Sequence, residues 1–88
     1  LKPDYADAYH NLANTYQKSG RAREAIEYYV RALSFNPGLV ESHYNLGVIY
    51  INEGILDLAI EHLRKAQGLK PDDQSIAYAR NFAREKIE

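Results

Sequence analysis

An all-α chain made of one helical hairpin written twice is the fold that these 88 residues predict. Three observations carry the prediction. The segment NLANTYQKSGRAREAIEYYVRA, Asn11 to Ala32, returns thirty-four residues later as NLGVIYINEGILDLAIEHLRKA, Asn45 to Ala66, with the same outline and different filling. Within each copy the apolar residues recur at three- and four-residue steps, the period of a helix with one buried face. A glycine stands inside each copy, Gly20 and Gly54, and a proline follows its end, Pro37 and Pro71. Those are the places where a helical hairpin needs its turn and its stop.

With the register started at Ala6, residues 6–39 align with 40–73 without a gap. Nine positions are identical: Asn11/Asn45, Leu12/Leu46, Tyr16/Tyr50, Gly20/Gly54, Ala25/Ala59, Ile26/Ile60, Glu27/Glu61, Ala32/Ala66 and Pro37/Pro71. Unrelated segments would share about two, so a period of 34 is a strong repeat signal. The pairs Asp7/Glu41, Ala13/Gly47 and Arg31/Lys65 add conservative matches.

In the first helix of repeat one, Ala8, Leu12, Ala13 and Tyr16 form an apolar stripe. Gly20 ends it, because a residue without Cβ adopts positive φ at little cost. The second helix is expected from about 22 to 35, with Ala25, Ile26, Tyr29, Ala32 and Leu33 inward. Asn36-Pro37 closes it, since proline cannot continue the hydrogen-bond ladder. Repeat two follows the same logic with Leu46, Gly47 and Tyr50, then Ala59, Ile60, Leu63, Ala66 and Leu69, closed by Lys70-Pro71. Ala13 and Gly47 are expected opposite Ala25 and Ala59, because helices approach closely only where side chains are short. Glu27/Arg31 and Glu61/Lys65 stand four apart with the acid first, a favourable order on an exposed face.

Residues 74–88, QSIAYARNFAREKIE, predict a further helix with Ile76, Ala79, Phe82 or Ala83, and Ile87 on an apolar edge. Arg80 stands where the repeats have Leu12 and Leu46, which marks a capping helix with one side left to water. At the other end Leu1-Lys2-Pro3-Asp4 resembles Leu69-Lys70-Pro71-Asp72. Residues 1–5 therefore read as the remnant of a preceding repeat or a linker, and the chain as part of a longer array.

The totals exclude more than they assign. With 45% hydrophobic and 26% charged residues the chain is ordinary globular material, one domain at most. Eleven basic and twelve acidic side chains leave a net charge of -1 with no basic patch, so neither nucleic acid nor an anionic membrane is an expected partner. The chain has no cysteine, which removes disulfides and thiolate chemistry and fits either redox compartment. No apolar run approaches the ~20 residues of a membrane span. A cytoplasmic place is the expectation.

The arrangement Tyr9, Leu12, Ala13, Tyr16, Ala25, Tyr29, Ala32 and Pro37 resembles the tetratricopeptide repeat. Repeat two matches with His43, Leu46, Gly47, Tyr50, Ala59, Leu63, Ala66 and Pro71; His43 departs from the usual large aromatic and Ala13 from the usual glycine. The resemblance covers 6–73 closely. It implies a right-handed α-α superhelix, a solenoid of two full helix-turn-helix repeats plus the C-terminal capping helix. It also implies that the first helix of each repeat lines a concave face. That face would present Asp7, His10, Asn11, Asn14, Gln17 and Lys18, then Glu41, Tyr44, Asn45, Val48, Ile51 and Asn52.

Asn11 and Asn45 occupy equivalent positions, and a side-chain amide offers a donor and an acceptor that together grip a peptide backbone of any sequence. The pair is similar to the asparagine ladder of the O-linked N-acetylglucosamine transferases. The plainer alternative has these amides bonding between neighbouring helices or facing water. Tyr44, Val48 and Ile51 share a face distinct from the Leu46/Tyr50 stripe, as a pocket for a partner's aliphatic side chain, under a neighbouring helix, or as a modest exposed patch. The two-carboxylate clamp of the family's chaperone-tail binders maps onto His10, Asn14, Glu41, Asn45 and Ala79. Only the asparagines agree, and Glu41 would repel a carboxylate.

Nothing in the sequence arranges catalysis. His10, His43 and His62 never fall three or four apart, so no single helix offers a histidine pair to a metal. Asp7 and His10 share a face without a nucleophile, and Ser19, Ser34, Ser42 and Ser75 lack a base. The eight tyrosines lack the surrounding cations of a base-stacking platform, and Tyr9, Tyr16, Tyr29 and Tyr50 are expected in the core. No cofactor, no metal and no enzyme activity is expected. The leading reading is a protein-protein interaction module that binds an extended peptide or partner protein. The other is a structural or self-associating segment of a larger repeat protein, such as the repeat region of a glycosyltransferase.

Overall fold

The computed structural model describes residues 3–87, among which there are five helices and no strand. They are α1 (Pro3–Lys18), α2 (Ala22–Phe35), α3 (Val40–Glu53), α4 (Leu56–Leu69) and α5 (Gln74–Ile87). The helix α1 begins three residues before the repeat register. Proline is at home there, because the first N–H of a helix has no intrahelical partner to lose. Leu1 and Lys2 lie outside the described residues.

The two hairpin turns are built alike. Gly20 has φ +77° and Gly54 φ +79°, both in the left-handed region. Around Gly20 the Arg21 N–H donates to the Tyr16 carbonyl (2.9 Å) and the Gly20 N–H to Gln17 (3.1 Å). Around Gly54 the Ile55 N–H donates to Tyr50 (2.8 Å) and the Gly54 N–H to Ile51 (3.0 Å). This pair of bonds satisfies carbonyls that a helix end would leave orphaned. Neither α2 nor α4 has a side-chain cap at its start. The connection from α4 to α5 differs: Asp73 Oδ1 accepts the Ile76 N–H (3.0 Å) and caps α5.

The chain divides into two compact units, one ending at Ser42 and the other beginning at His43. In the first, α1 packs on α2 around Ala6, Ala13, Ala25, Tyr29 and Ala32, all at most 1% exposed. Ile26 and Leu33, expected inward, are half-buried. Ala8 and Leu12 depart further from expectation, since both are exposed, Leu12 to 39%, whereas its equivalent Leu46 is 0% exposed. A helical period tells which residues share a face; it does not tell what covers that face.

The second unit is centred on Leu46, Ile49, Tyr50, Ala59, Leu63 and Ala66, with Ile76, Ala79 and Ala83 from α5. A Cβ added to Gly47 would lie 2.5 Å from Leu63 Cγ, so α3 and α4 meet there at a distance that only glycine allows. Ala83, not Phe82, takes the inward position of α5, and Phe82 and Ile87 are exposed. Arg80 is half-buried, with Nη1 donating to Gln67 Oε1 of α4 (2.6 Å). Leu69, expected inward, is exposed. The exposed pairs Glu27–Arg31 (3.2 Å) and Glu61–Lys65 (3.7 Å) form as the spacing predicts.

Candidate functional site

The residues expected on the α1 face fall into two groups. Asp7, Asn11 and Lys18 are exposed, at steps of four and seven along the helix. His10 and Asn14, between them on the same face, are half-buried and engaged. His10 Nδ1 lies 2.7 Å from Ser42 Oγ, its Nε2 lies 3.7 Å from Glu41 Oε1, and its ring tilts against Tyr29. The sequence suggested Asp7 as the neighbour of His10. The structure brings Ser42 and Glu41 there from the start of α3.

Asn14 accepts a hydrogen bond from the Tyr29 hydroxyl, which also lies 2.7 Å from Gln17 Oε1. A phenol has one proton to donate, and either amide can turn its nitrogen toward the phenol oxygen, so the three groups satisfy one another. Because Tyr29 is 0% exposed, this cluster fixes the one polar atom that the α1/α2 core contains at that point. Gln17 and Asn14 thus hold the hairpin as well as bordering its surface.

On α3, Glu41 and Asn52 are exposed, and Tyr44, Asn45, Val48 and Ile51 are half-buried. The Glu41 side chain is 83% exposed. Ile51 and Asn52 line an open cleft of about 430 Å³ together with Gly54, Leu56, Phe82 and Lys86. Lys86 Nζ sits 5.1 Å from the centre of the Phe82 ring, a cation–π contact. Phe82 and Lys86 were missed as site residues. The repeat register contains them: one period beyond Val48 is Phe82, and one period beyond Asn52 is Lys86. The cleft combines an apolar wall, an amide and one cation, which suits an aliphatic side chain next to a polar or acidic group.

Each unit also carries a three-ring stack at equivalent positions. In the first, Tyr28 of α2 is stacked with Tyr9 (5.9 Å) and Tyr16 (5.5 Å) of α1. Phe35 extends this series onto Tyr9 and Tyr5, and Arg21 and Arg31 lie over its faces. In the second, His62 of α4 stands between His43 (5.4 Å, tilted) and Tyr50 (5.8 Å, stacked) of α3. His43 Nδ1 and His62 Nδ1 are 3.1 Å apart. Burial, then the neighbouring His43 and Lys65, hold the His62 imidazole below its ordinary pKa, with Glu61 opposing. Spacing along one helix could not reveal this pair, whose members are 19 residues apart on facing helices. Among the described residues no group of three or more His, Cys, Asp or Glu converges to hold a metal.

Comparison with known proteins agrees with this geometry. The family model described as tetratricopeptide repeat matches residues 6–39 and 40–73. The peroxisomal targeting signal receptor of Candida albicans is 40% identical over 63 residues, which is 72% of this chain and 11% of that protein. The UDP-N-acetylglucosamine–peptide N-acetylglucosaminyltransferase of Giardia intestinalis is 28% identical over 74 residues, 84% of this chain and 5% of that protein. A crystal structure of MamA superposes with a TM-score of 0.91 at 28% identity, covering 99% of this chain and 51% of MamA. The chain spans about a tenth or less of the length of these two curated relatives. The five helices are those of a repeat solenoid, and no described helix is long and apolar enough to cross a membrane.

Proposed function

The chain belongs to the tetratricopeptide repeat family, and from that premise we propose that it is a protein–protein interaction module that holds an extended peptide segment of its partner. The first helix of each repeat supplies a stretch of the binding surface. On α1 this stretch is Asp7, Asn11 and Lys18, bordered by His10 and Asn14. On α3 it is Tyr44, Asn45, Val48, Ile51 and Asn52, with Glu41 at its start. The observation that carries the reading is the accessibility of these equivalent faces. Asn11 is exposed, and Asn45 keeps part of its surface beside the partly open Tyr44, Val48 and Ile51. A fully packed face would offer a peptide neither amide nor apolar contact.

Amides give such a surface backbone recognition, and the cleft at Ile51, Asn52, Phe82 and Lys86 gives it a preference for a side chain. The similarity to a targeting signal receptor supports a role in capturing a segment of another protein. The reading gives the chain no catalytic step of its own.

Selection from a displayed library of random peptides, followed by affinity measurement on the variants, tests it. Asn11→Ala and Asn45→Ala together remove two amide contacts worth ~0.5–1.5 kcal/mol each, so affinity falls by roughly 5- to 150-fold with helicity unchanged. A library that yields no binder, or a selected peptide indifferent to both substitutions, would overturn the proposal. Self-association is a second reading, favoured by one observation: Tyr5, Leu12, Val30 and Phe35 of the first unit are exposed apolar residues. Molar mass that rises with concentration in wild type, and stays constant in Leu12→Glu, supports that reading.

A further inference from the structure

We propose that the second unit selects segments carrying an aliphatic side chain with a carboxylate two residues away. The aliphatic group enters the cleft beside Phe82, and the carboxylate meets Lys86. Such a preference rests on the peptide-binding reading above and commits it to one kind of partner.

The sequence marks α5 as a cap, yet its register says more. Tyr78, Phe82 and Lys86 stand where α3 has Tyr44, Val48 and Asn52, and where α1 has His10, Asn14 and Lys18. Helix α5 therefore carries the residues equivalent to the proposed face of α3. Tyr78 is 73% exposed and Phe82 37%, with the two rings stacked at 6.5 Å. On α3 the equivalent Tyr44 and Val48 are half-buried, whereas His10 and Asn14 of α1 are polar and already engaged. The apolar part of the face thus belongs to the second unit. An aliphatic anchor gains most there from leaving water.

Charge decides what stands beside the anchor. Arg21, Arg31 and Lys65 each hold a nearby glutamate. Lys86 pairs with no carboxylate among the described residues, and its ammonium lies 5.1 Å from the centre of the Phe82 ring instead. Among the described residues that line the cleft, it alone carries a charge. Glu53, Asp57 and Glu85, its acidic neighbours along the chain, are exposed and outside that lining. A carboxylate brought here meets a cation whose contact is aromatic rather than ionic. The spacing is that of an extended segment, in which residues two apart share a face about 6.6 Å from one another. An aliphatic group against Ile51, Leu56 and Phe82 therefore brings the acid within reach of the flexible Lys86 side chain. Asn52, exposed at the rim, offers its amide to the backbone between them.

Peptides selected from the random library on the intact chain test this through their sequences. The expected enrichment is an aliphatic residue with Asp or Glu two positions away. Replacing that acid with alanine weakens binding by about two- to fivefold, the range of an exposed ion pair. On Lys86→Ala the same change in the peptide costs nothing further. Phe82→Ala weakens binding by about tenfold through loss of the anchor. Selection repeated on Lys86→Glu recovers Lys or Arg where the acid stood. Lys86 is exposed, so its two variants keep the fold and decide the outcome even if Phe82→Ala does not. Binders without the paired spacing overturn this preference. So do binders indifferent to Lys86→Ala and Phe82→Ala but weakened by Asn11→Ala and Asn45→Ala, which leave the peptide-binding reading standing. A library without binders overturns both.

Discussion

Tyr29 shows how much one side chain decides in a small core. Its ring is fully buried between α1 and α2, and its hydroxyl is met by Asn14 and Gln17 of α1. A buried hydroxyl that loses its partners costs ~1–3 kcal/mol, whereas deleting the hydroxyl itself costs less when the amides it leaves can reach water. Asn14 and Gln17 are half-buried, so they can. Replacing both with alanine should therefore lower unfolding free energy by ~1–3 kcal/mol, and Tyr29→Phe by ~0.5–1.5 kcal/mol. Urea titration of the three proteins checks the order. A Tyr29→Phe chain less stable than the double alanine variant would show that the amides do not serve the hydroxyl. The role of Asn14 was not legible in the sequence. An amide on a helix face looks the same whether it awaits a ligand or bonds a ring fifteen residues away.

At the scale of the element, glycines do two different jobs. Gly20 and Gly54 have positive φ with nothing within 4 Å of an added Cβ, so their role is backbone conformation alone. Gly47 lies within α3, where Leu63 occupies the space of a Cβ. Alanine at Gly20 or Gly54 should cost ~1–2 kcal/mol, the left-handed penalty. Alanine at Gly47 gains about 1 kcal/mol of helix propensity but overpacks Leu63 at ~1–3 kcal/mol, so the net change is destabilising. Leu63→Ala in the same chain should relieve the overpacking at Gly47→Ala and leave the turn variants unchanged, a distinction that a double-mutant cycle reads directly. The turns and the bounds of α2 were legible because glycine, proline and the helical period act within a few residues. The close approach at Gly47 was legible, though opposite Ala59; that Leu63 fills the space there, and that His43 meets His62, were not, because these depend on which residues of the opposite helix arrive. The proposed binding face lies between these cases. The family resemblance implied α1 and α3, and the repeat register extended by one more period reaches Phe82 and Lys86, yet exposure depends on the whole fold.

For the whole molecule, the net charge of -1 leaves little global repulsion, so single titrating groups shape its response to pH. Two of them belong to one ring stack in the second unit. Burial keeps His62 neutral below its ordinary 6.5, and burial pushes the Tyr50 hydroxyl above its ordinary 10.0. The first shift makes the unfolded chain the better proton acceptor on the acid side, so stability falls as pH drops below about 6.5. The second makes the folded chain the better holder of a proton on the alkaline side, so stability falls as pH rises through and beyond about 10. Glu24, held below its ordinary 4.5 first by the Arg21 hydrogen bond, adds a further loss only in stronger acid. Melting temperature should therefore form a plateau between about pH 6.5 and 10, displaced upward from the sequence isoelectric point of 6.3. Tyr50→Phe should soften the alkaline edge and leave the acid edge in place, while His62→Gln should do the reverse. A melting temperature that peaks below pH 6 would contradict both assignments at once, because each places the neutral stack, and with it the joint between α3 and α4, at its strongest above neutrality.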